Sequence, residues 1–195
     1  MKTMIALIIC ILISGCGKKE DGPVRVTINK DGTFLLNSKA SSKKQIEEYV
    51  ASRIESKGII QKVVFIADDS TLYASLEPAI LSVVKARGWW FYFKLTDSQK
   101  IEDLITDSIA PDGPPTKELK VEIRGKHIFI KNKKISIVAI NELLGKRPKK
   151  DWGYTVYISC SEKTTFGNLY KLVEVCNQYE YVTPVLQVMD KLYMD

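Results

Sequence analysis

Asp68 and Asp69 stand side by side at the end of an apolar run, in "VVFIADDSTLYASLEP" at residues 63–78. Two neighbouring carboxylates are residue types suited to general acid–base work. Adjacent residues on a strand, however, point to opposite faces, so an extended backbone through Asp68 would part the pair. Strand-to-helix junctions favour Asp and Ser for another reason: their side chains bond nearby amides and cap the helix that follows, and Ser75 is a further cap candidate. No second acid motif supports catalysis, and the aspartates read as a turn.

The other reactive side chains are sparse. His127 is the one histidine, placed at a hairpin, and Cys160 ends a strand. A Cys-His nucleophile needs the two within hydrogen-bond reach, and a hairpin tip and a strand end are not obviously close. One histidine and two scattered cysteines make a poor zinc site. Cys176 would lie about 15 Å along a helix from Phe166, at 1.5 Å per residue, too far from Cys160 for a disulfide. Both are expected as buried free thiols, Cys176 on the stripe of Leu169, Leu172 and Val173. No P-loop, G-x-S-x-G, G-x-G-x-x-G or H-E-x-x-H pattern occurs. No catalytic residue, metal or cofactor is expected.

Two stretches suit binding. "GKRPKKDW" at 145–152 gathers Lys146, Arg147, Lys149, Lys150 and Trp152, a loop able to meet an anionic polymer, lipid phosphate or acidic protein; a solvated loop is the plainer reading. "WWFYF" at 89–93 offers Trp89, Trp90 and Tyr92; were this strand an edge, its outward residues could support strand addition by a peptide.

The elements that must position these residues occur twice. "VRVTINKDGTFLLN" alternates Val24, Val26 and Ile28 with polar residues, turns at Asp31-Gly32 and returns through Phe34 and Leu36, a hairpin signature. Ile46, Tyr49, Val50 and Ile54 then fall at helical spacing. "KVVFIA" is a continuous central strand. Leu76, Ile80, Val83 and Val84 mark a second helix stopped at Gly88, and residues 89–96 close the unit. From Lys120 the order returns: Val121 and Ile123 stand for Val26 and Ile28, Phe129 for Phe34, Asn132 for Asn37. A short helix spans Ile140 to Leu144, "YTVYIS" stands for "KVVFIA", and Phe166, Leu169 and Val173 stand for Tyr73, Leu76 and Ile80. The expected fold class is α+β: two tandem two-layer domains, each β-β-α-β-α-β, with a mixed sheet and two helices on one face. The domains are 24–97 and 119–195. Between them, 98–118 is a linker whose first half could form one or two helical turns on Ile101, Leu104 and Ile105; "PDGPP" cannot continue a helix. Formal charge is +6 over 195 residues, and it is uneven: about +3 in the first unit, −3 in the linker and +5 in the second.

The N-terminus sets the compartment. A basic start at Lys2, an apolar run from Met4 to Ile13 and small residues before Cys16 form a secretory signal over 1–15. Ile13-Ser14-Gly15-Cys16 resembles the lipobox of bacterial lipoproteins, which implies lipid on Cys16 and a tether over 16–23. Each buried CH₂ of such chains contributes about 0.8 kcal/mol to anchoring. Gly17 after the cysteine implies the outer membrane facing the periplasm, and Lys19-Glu20-Asp21 resembles a surface-export signal of some Bacteroidetes lipoproteins.

Asp31-Gly32, Leu36-Asn37, Ile66-Ala67-Asp68, Tyr73 and Ala86-Arg87-Gly88 together resemble the periplasmic domain of the ExbD/TolR family. The resemblance covers residues 24–96 well and the second copy more faintly. These motifs specify a fold more than a chemistry. Family members carry a transmembrane helix with an ionisable aspartate for proton-driven work, whereas this chain has no Asp or Glu before residue 20. The resemblance therefore implies a non-catalytic, lipid-anchored envelope protein accessory to or derived from Ton/Tol-type systems, without proton conduction. Its partner would be an envelope protein or peptidoglycan, with no nucleic acid. Because the family's domain works as a dimer, the two copies could pair within one chain. The alternatives are a structural scaffold and, last, an unrecognised hydrolase.

Overall fold

A computed structural model describes residues 22–57, 62–88, 90–106, 117–146 and 153–188. The signal segment, Cys16, Trp89, Arg147, Lys149, Lys150 and Trp152 lie outside the described residues.

The first unit begins with strand β1 (Val24–Ile28), whose Val24, Val26 and Ile28 are buried while Arg25 faces out. It pairs antiparallel with β2 (Phe34–Leu36), Ile28 opposite Phe34. The connecting turn holds Gly32 at φ +80°, and the Asp31 carboxylate accepts bonds from the Thr33 amide and hydroxyl at 3.0 and 2.7 Å. A second tight turn follows. Asn37 and Ser38 both take left-handed φ, 48° and 70°, the requirement of a type I′ turn, and β3 (Lys39–Ser41) returns along β2. Helix α1 (Lys43–Lys57), central strand β4 (Val63–Ala67), helix α2 (Tyr73–Lys85) and strand β5 (Trp90–Leu95) complete the unit.

The second unit repeats this order with β7 (Lys117–Arg124), β8 (His127–Ile130), β9 (Lys133–Ile135), α3 (Ile137–Gly145), β10 (Tyr154–Cys160), α4 (Phe166–Asn177) and β11 (Val182–Leu186). Each unit thus carries one short strand more than β-β-α-β-α-β. The added pair β8–β9 turns at Lys131 and Asn132, φ 50° and 62°. Pairing also shifts the hairpin correspondence by one residue. Ile123 opposes Ile128 as Ile28 opposes Phe34, so Ile128, not Phe129, occupies the position of Phe34, and Asn132 matches Ser38 rather than Asn37. The second hairpin loop is shorter, which displaced the comparison.

The linker contains no helix among its described residues. Residues Glu102–Thr106 form strand β6, antiparallel to β5 with Phe91 opposite Leu104. The free edge of β5 recruits the chain into a ladder, and Leu104 is buried at 1% exposure on the strand that packs against α4. Lys117 and Glu118, placed in the linker by sequence, already belong to β7.

The protein is α+β, with a six-stranded and a five-stranded mixed half. The strand order runs β3-β2-β1-β4-β5-β6-β11-β10-β7-β8-β9, because β6 also pairs with β11 through Ile105–Val185 and Thr106–Leu186. Ahead of those two pairs, toward the start of both strands, the ladder lapses for identifiable reasons. Gln187 donates to Ile158 on β10, so alternation turns Pro184 toward β6, where it has no N–H to give. The Val182 amide goes to the Tyr179 carbonyl, and the Asp103 carbonyl accepts from Asn177 Nδ2 at 3.0 Å. The core follows the inward residues of both halves, with Phe65 edge-on to Phe91 and, across the units, Phe93 edge-on to Phe166, each at 5.2 Å. Among the described residues no helix is long and apolar enough to cross a membrane.

Candidate functional site

The segment after β4 and its counterpart after β10 meet. Tyr73 N–H donates to the Thr164 carbonyl, and Phe166 N–H donates to the Thr71 carbonyl, both at 2.7 Å. Ala74 N–H reaches the Glu162 carbonyl at 3.2 Å and Gly167 N–H the Asp69 carbonyl at 3.0 Å. Leu72 and Thr165 form an antiparallel bridge at the centre. Every one of these bonds is the reciprocal of another under the correspondence Thr71–Thr164, Tyr73–Phe166. The first-turn amides of a helix have no intrahelical acceptor, and here each unit supplies carbonyls to the other's helix.

This exchange settles where the two aspartates go. Asp68 stays with its own unit: its carboxylate lies 3.2 Å from Lys30 Nζ. A hydrogen bond from Thr96, and then the Lys30 ammonium, hold its carboxyl below the usual carboxylate range. Asp69 belongs to the junction. Its carboxylate lies against Gly167 Cα, where any Cβ would overlap it, and 3.7 Å from Lys171 Nζ. Helix α4 has no acidic residue in its own first turn, so Asp69 brings negative charge from the other unit to the positive end of that helix. The pair therefore faces two different sets of partners.

The two junction halves are not equally finished. Thr165 caps α4 by accepting from the Asn168 amide, and Thr164 Oγ1 donates to the Ile123 carbonyl at 2.7 Å. Leu72, at the matching cap position of α2, offers no side-chain bond and is 46% exposed; Thr71 Oγ1 is buried without a hydrogen-bond partner.

His127 and Cys160 come out at the same end of their sheet half, contrary to the expectation from sequence. Parallel pairing of β7 with β10 sets Ile123 beside Cys160, and the hairpin sets His127 beside Arg124. β7 still stands between β8 and β10, about 10 Å apart at the spacing of strands, and the two side chains share no hydrogen bond. Cys160 is half-buried rather than buried and Cys176 is fully buried; neither forms a disulfide. Burial pushes the Cys176 thiol up to about 12.

The aromatic strand is not an edge. β5 is paired on both sides, by β4 and β6, so strand addition along it is closed. Its alternation buries Phe91 and Phe93 and leaves Trp90 43% exposed, with Tyr92 half-buried beneath Lys62 Nζ, 5.4 Å from the ring centre. Trp90 borders a cleft of about 470 Å³ where the β6–β11 ladder lapses, together with Asp103, Asn177, Tyr179, Glu180 and Pro184. Sequence had pointed to Trp90 but to none of these companions, because they come from three separate elements. Of the basic loop, Lys146 is described; it ends α3, exposed, 3.9 Å from Glu142. It does not line the Trp90 cleft.

No family model, no curated protein and no solved structure matches the chain.

Proposed function

We propose that this chain is a non-catalytic lipoprotein of the bacterial cell envelope, anchored through Cys16, whose two ExbD/TolR-like units bind a protein partner or peptidoglycan. It would be accessory to or derived from Ton/Tol-type systems and would not conduct protons. The observation that carries the binding role is the Trp90 cleft: a half-exposed indole beside Tyr179, with Asp103 and Glu180 at its margin. Aromatic residues of this kind supply large contact area at low entropic cost, and apolar clefts with a few polar groups are the usual form of a binding site. The family reading draws support from where its motif residues fall. Asp31-Gly32 and Asn37 make the two hairpin turns, and Asp68 leaves β4. Arg87 closes α2 in the left-handed region at φ 63°. These are fold-determining places.

Two measurements test the proposal. Mass spectrometry of the protein from its native membrane should find acyl chains on Cys16, and Cys16→Ser should release it to the soluble fraction. Trp90→Ala should weaken capture of the envelope partner, or co-sedimentation with purified peptidoglycan, by tenfold or more while leaving the circular dichroism unchanged. Unchanged binding by that variant would remove the cleft from the account.

A second reading, a scaffold of two paired units, is favoured by the reciprocal bonds at Thr71–Ala74 and Glu162–Gly167. It predicts that Trp90→Ala is silent and that only disruption of the junction has a phenotype.

A further inference from the structure

A second cleft, of about 240 Å³, lies between the β8–β9 hairpin, the start of α3 and the face of α4. Lys126 lines it from the β7–β8 turn, His127 and Lys134 from the hairpin, Asn168 and Lys171 from α4, and Ser136 from the cap of α3. Lys171 has Asp69 at 3.7 Å, whereas Lys126, His127 and Lys134 have no ion-pair partner among the described residues. Lys126, Lys134 and Lys171, carried by a turn, a strand and a helix, thus border one concavity. A cluster of like charges around one concavity raises the local concentration of anions there.

The duplication supplies an internal comparison. With β9 matched to β3 and α4 to α2, Lys134 stands where the first unit has Ala40, His127 where it has Thr33, Asn168 where it has Ser75, and Lys171 where it has Pro78. The common fold therefore does not require Lys134 or Lys171. They are particular to the second unit. The backbone adds a donor at the same place: Ser136 Oγ accepts from the Ala139 amide at 3.1 Å, which leaves the amide of Ile137, a residue that lines the cleft, without an intrahelical acceptor.

We propose that this cleft binds a phosphate group, held by Lys126, Lys134 and Lys171 with the Ile137 amide at the start of α3. A tetrahedral phosphate presents oxygens in several directions, so lysines from a turn, a strand and a helix can bond it together. The phosphate belongs either to a soluble phosphomonoester or to a phospholipid headgroup, and the site is independent of the Trp90 cleft.

The test uses the full mature-length chain carrying Cys16→Ser, so that lipid does not itself dictate vesicle binding. Inorganic phosphate, titrated against chloride at equal ionic strength, should give a saturable shift of the Ile137 amide resonance. Lys126→Gln with Lys134→Gln should weaken that binding about tenfold or more, the loss expected when charged hydrogen bonds are removed. Flotation with phosphatidylglycerol vesicles, against phosphatidylcholine, identifies a headgroup source if it depends on the same two lysines while free phosphate shifts nothing. Absence of both effects overturns the proposal. So does an equal loss in a control variant, Lys39→Gln with Lys44→Gln, since that would mark non-specific attraction to a basic protein. The four lysines are exposed, and unchanged melting temperatures verify that the variants fold.

Discussion

At the scale of single residues, the two neighbouring aspartates differ in kind. Asp68 is held low by Thr96 and Lys30, so its ionised form is the one that stabilises the fold. That contribution is fully present above its ordinary value of 3.8 and is lost as pH falls through the lower, folded value. Asp68→Asn should remove this part of the acid sensitivity, seen as a shallower loss of melting temperature below pH 4, at roughly the ordinary carboxylate pKa. Asp69 should instead couple to Gly167. Gly167→Ala displaces the carboxylate and should destabilise by about 1–3 kcal/mol, as overpacking does. With Asp69→Ala already present, the same change should cost clearly less, because only the 3.1 Å approach of the residue-69 carbonyl remains. Additive effects in that double-mutant cycle would contradict the contact. Leu72→Thr should gain about 1 kcal/mol by giving α2 the cap that Thr165 gives α4, read as a rise in melting temperature. Cys176, buried and pushed up to about 12, should resist thiol reagents in the native protein, with modification appearing only on unfolding.

At the scale of elements, what could be read from the sequence is what repeats locally. The β1–β2 hairpin, the central strands β4 and β10 and the stripes of α2 and α4 all follow from alternation and helical spacing. The short strands β3 and β9 escaped because three residues are too few to show a period, and the turns before them use Asn37-Ser38 and Lys131-Asn132 rather than glycine. Strand β6 escaped for a different reason. Ile101, Leu104 and Ile105 have helical spacing, but the open edge of β5 supplies partners that no local pattern can show. Gly88 ends α2 as expected, by an unexpected route. Arg87 takes the left-handed position, with Arg87 and Gly88 amides donating back to Val84 and Val83 in a Schellman arrangement. Gly88 is needed because a Cβ there would collide with Val83.

At the scale of the whole molecule, the duplication is visible in sequence, whereas the way the copies meet is not. The reciprocal exchange at Thr71–Ala74 and Glu162–Gly167 uses main-chain groups, which leave no side-chain signature. β6 continues the ladder between the halves, and the lapse beside Pro184 leaves the Trp90 cleft open. The candidate site was correspondingly half-legible: Trp90 was singled out by type, while Asp103, Tyr179 and Glu180 are its neighbours only through strand order. The most direct test of the binding role is site-specific photo-cross-linking in intact cells, with the probe at position 90 and, as control, at exposed Lys44 on α1. The account predicts one discrete cross-linked envelope species from position 90 and none from position 44. Equal, diffuse labelling from both positions, or none from position 90, would contradict it.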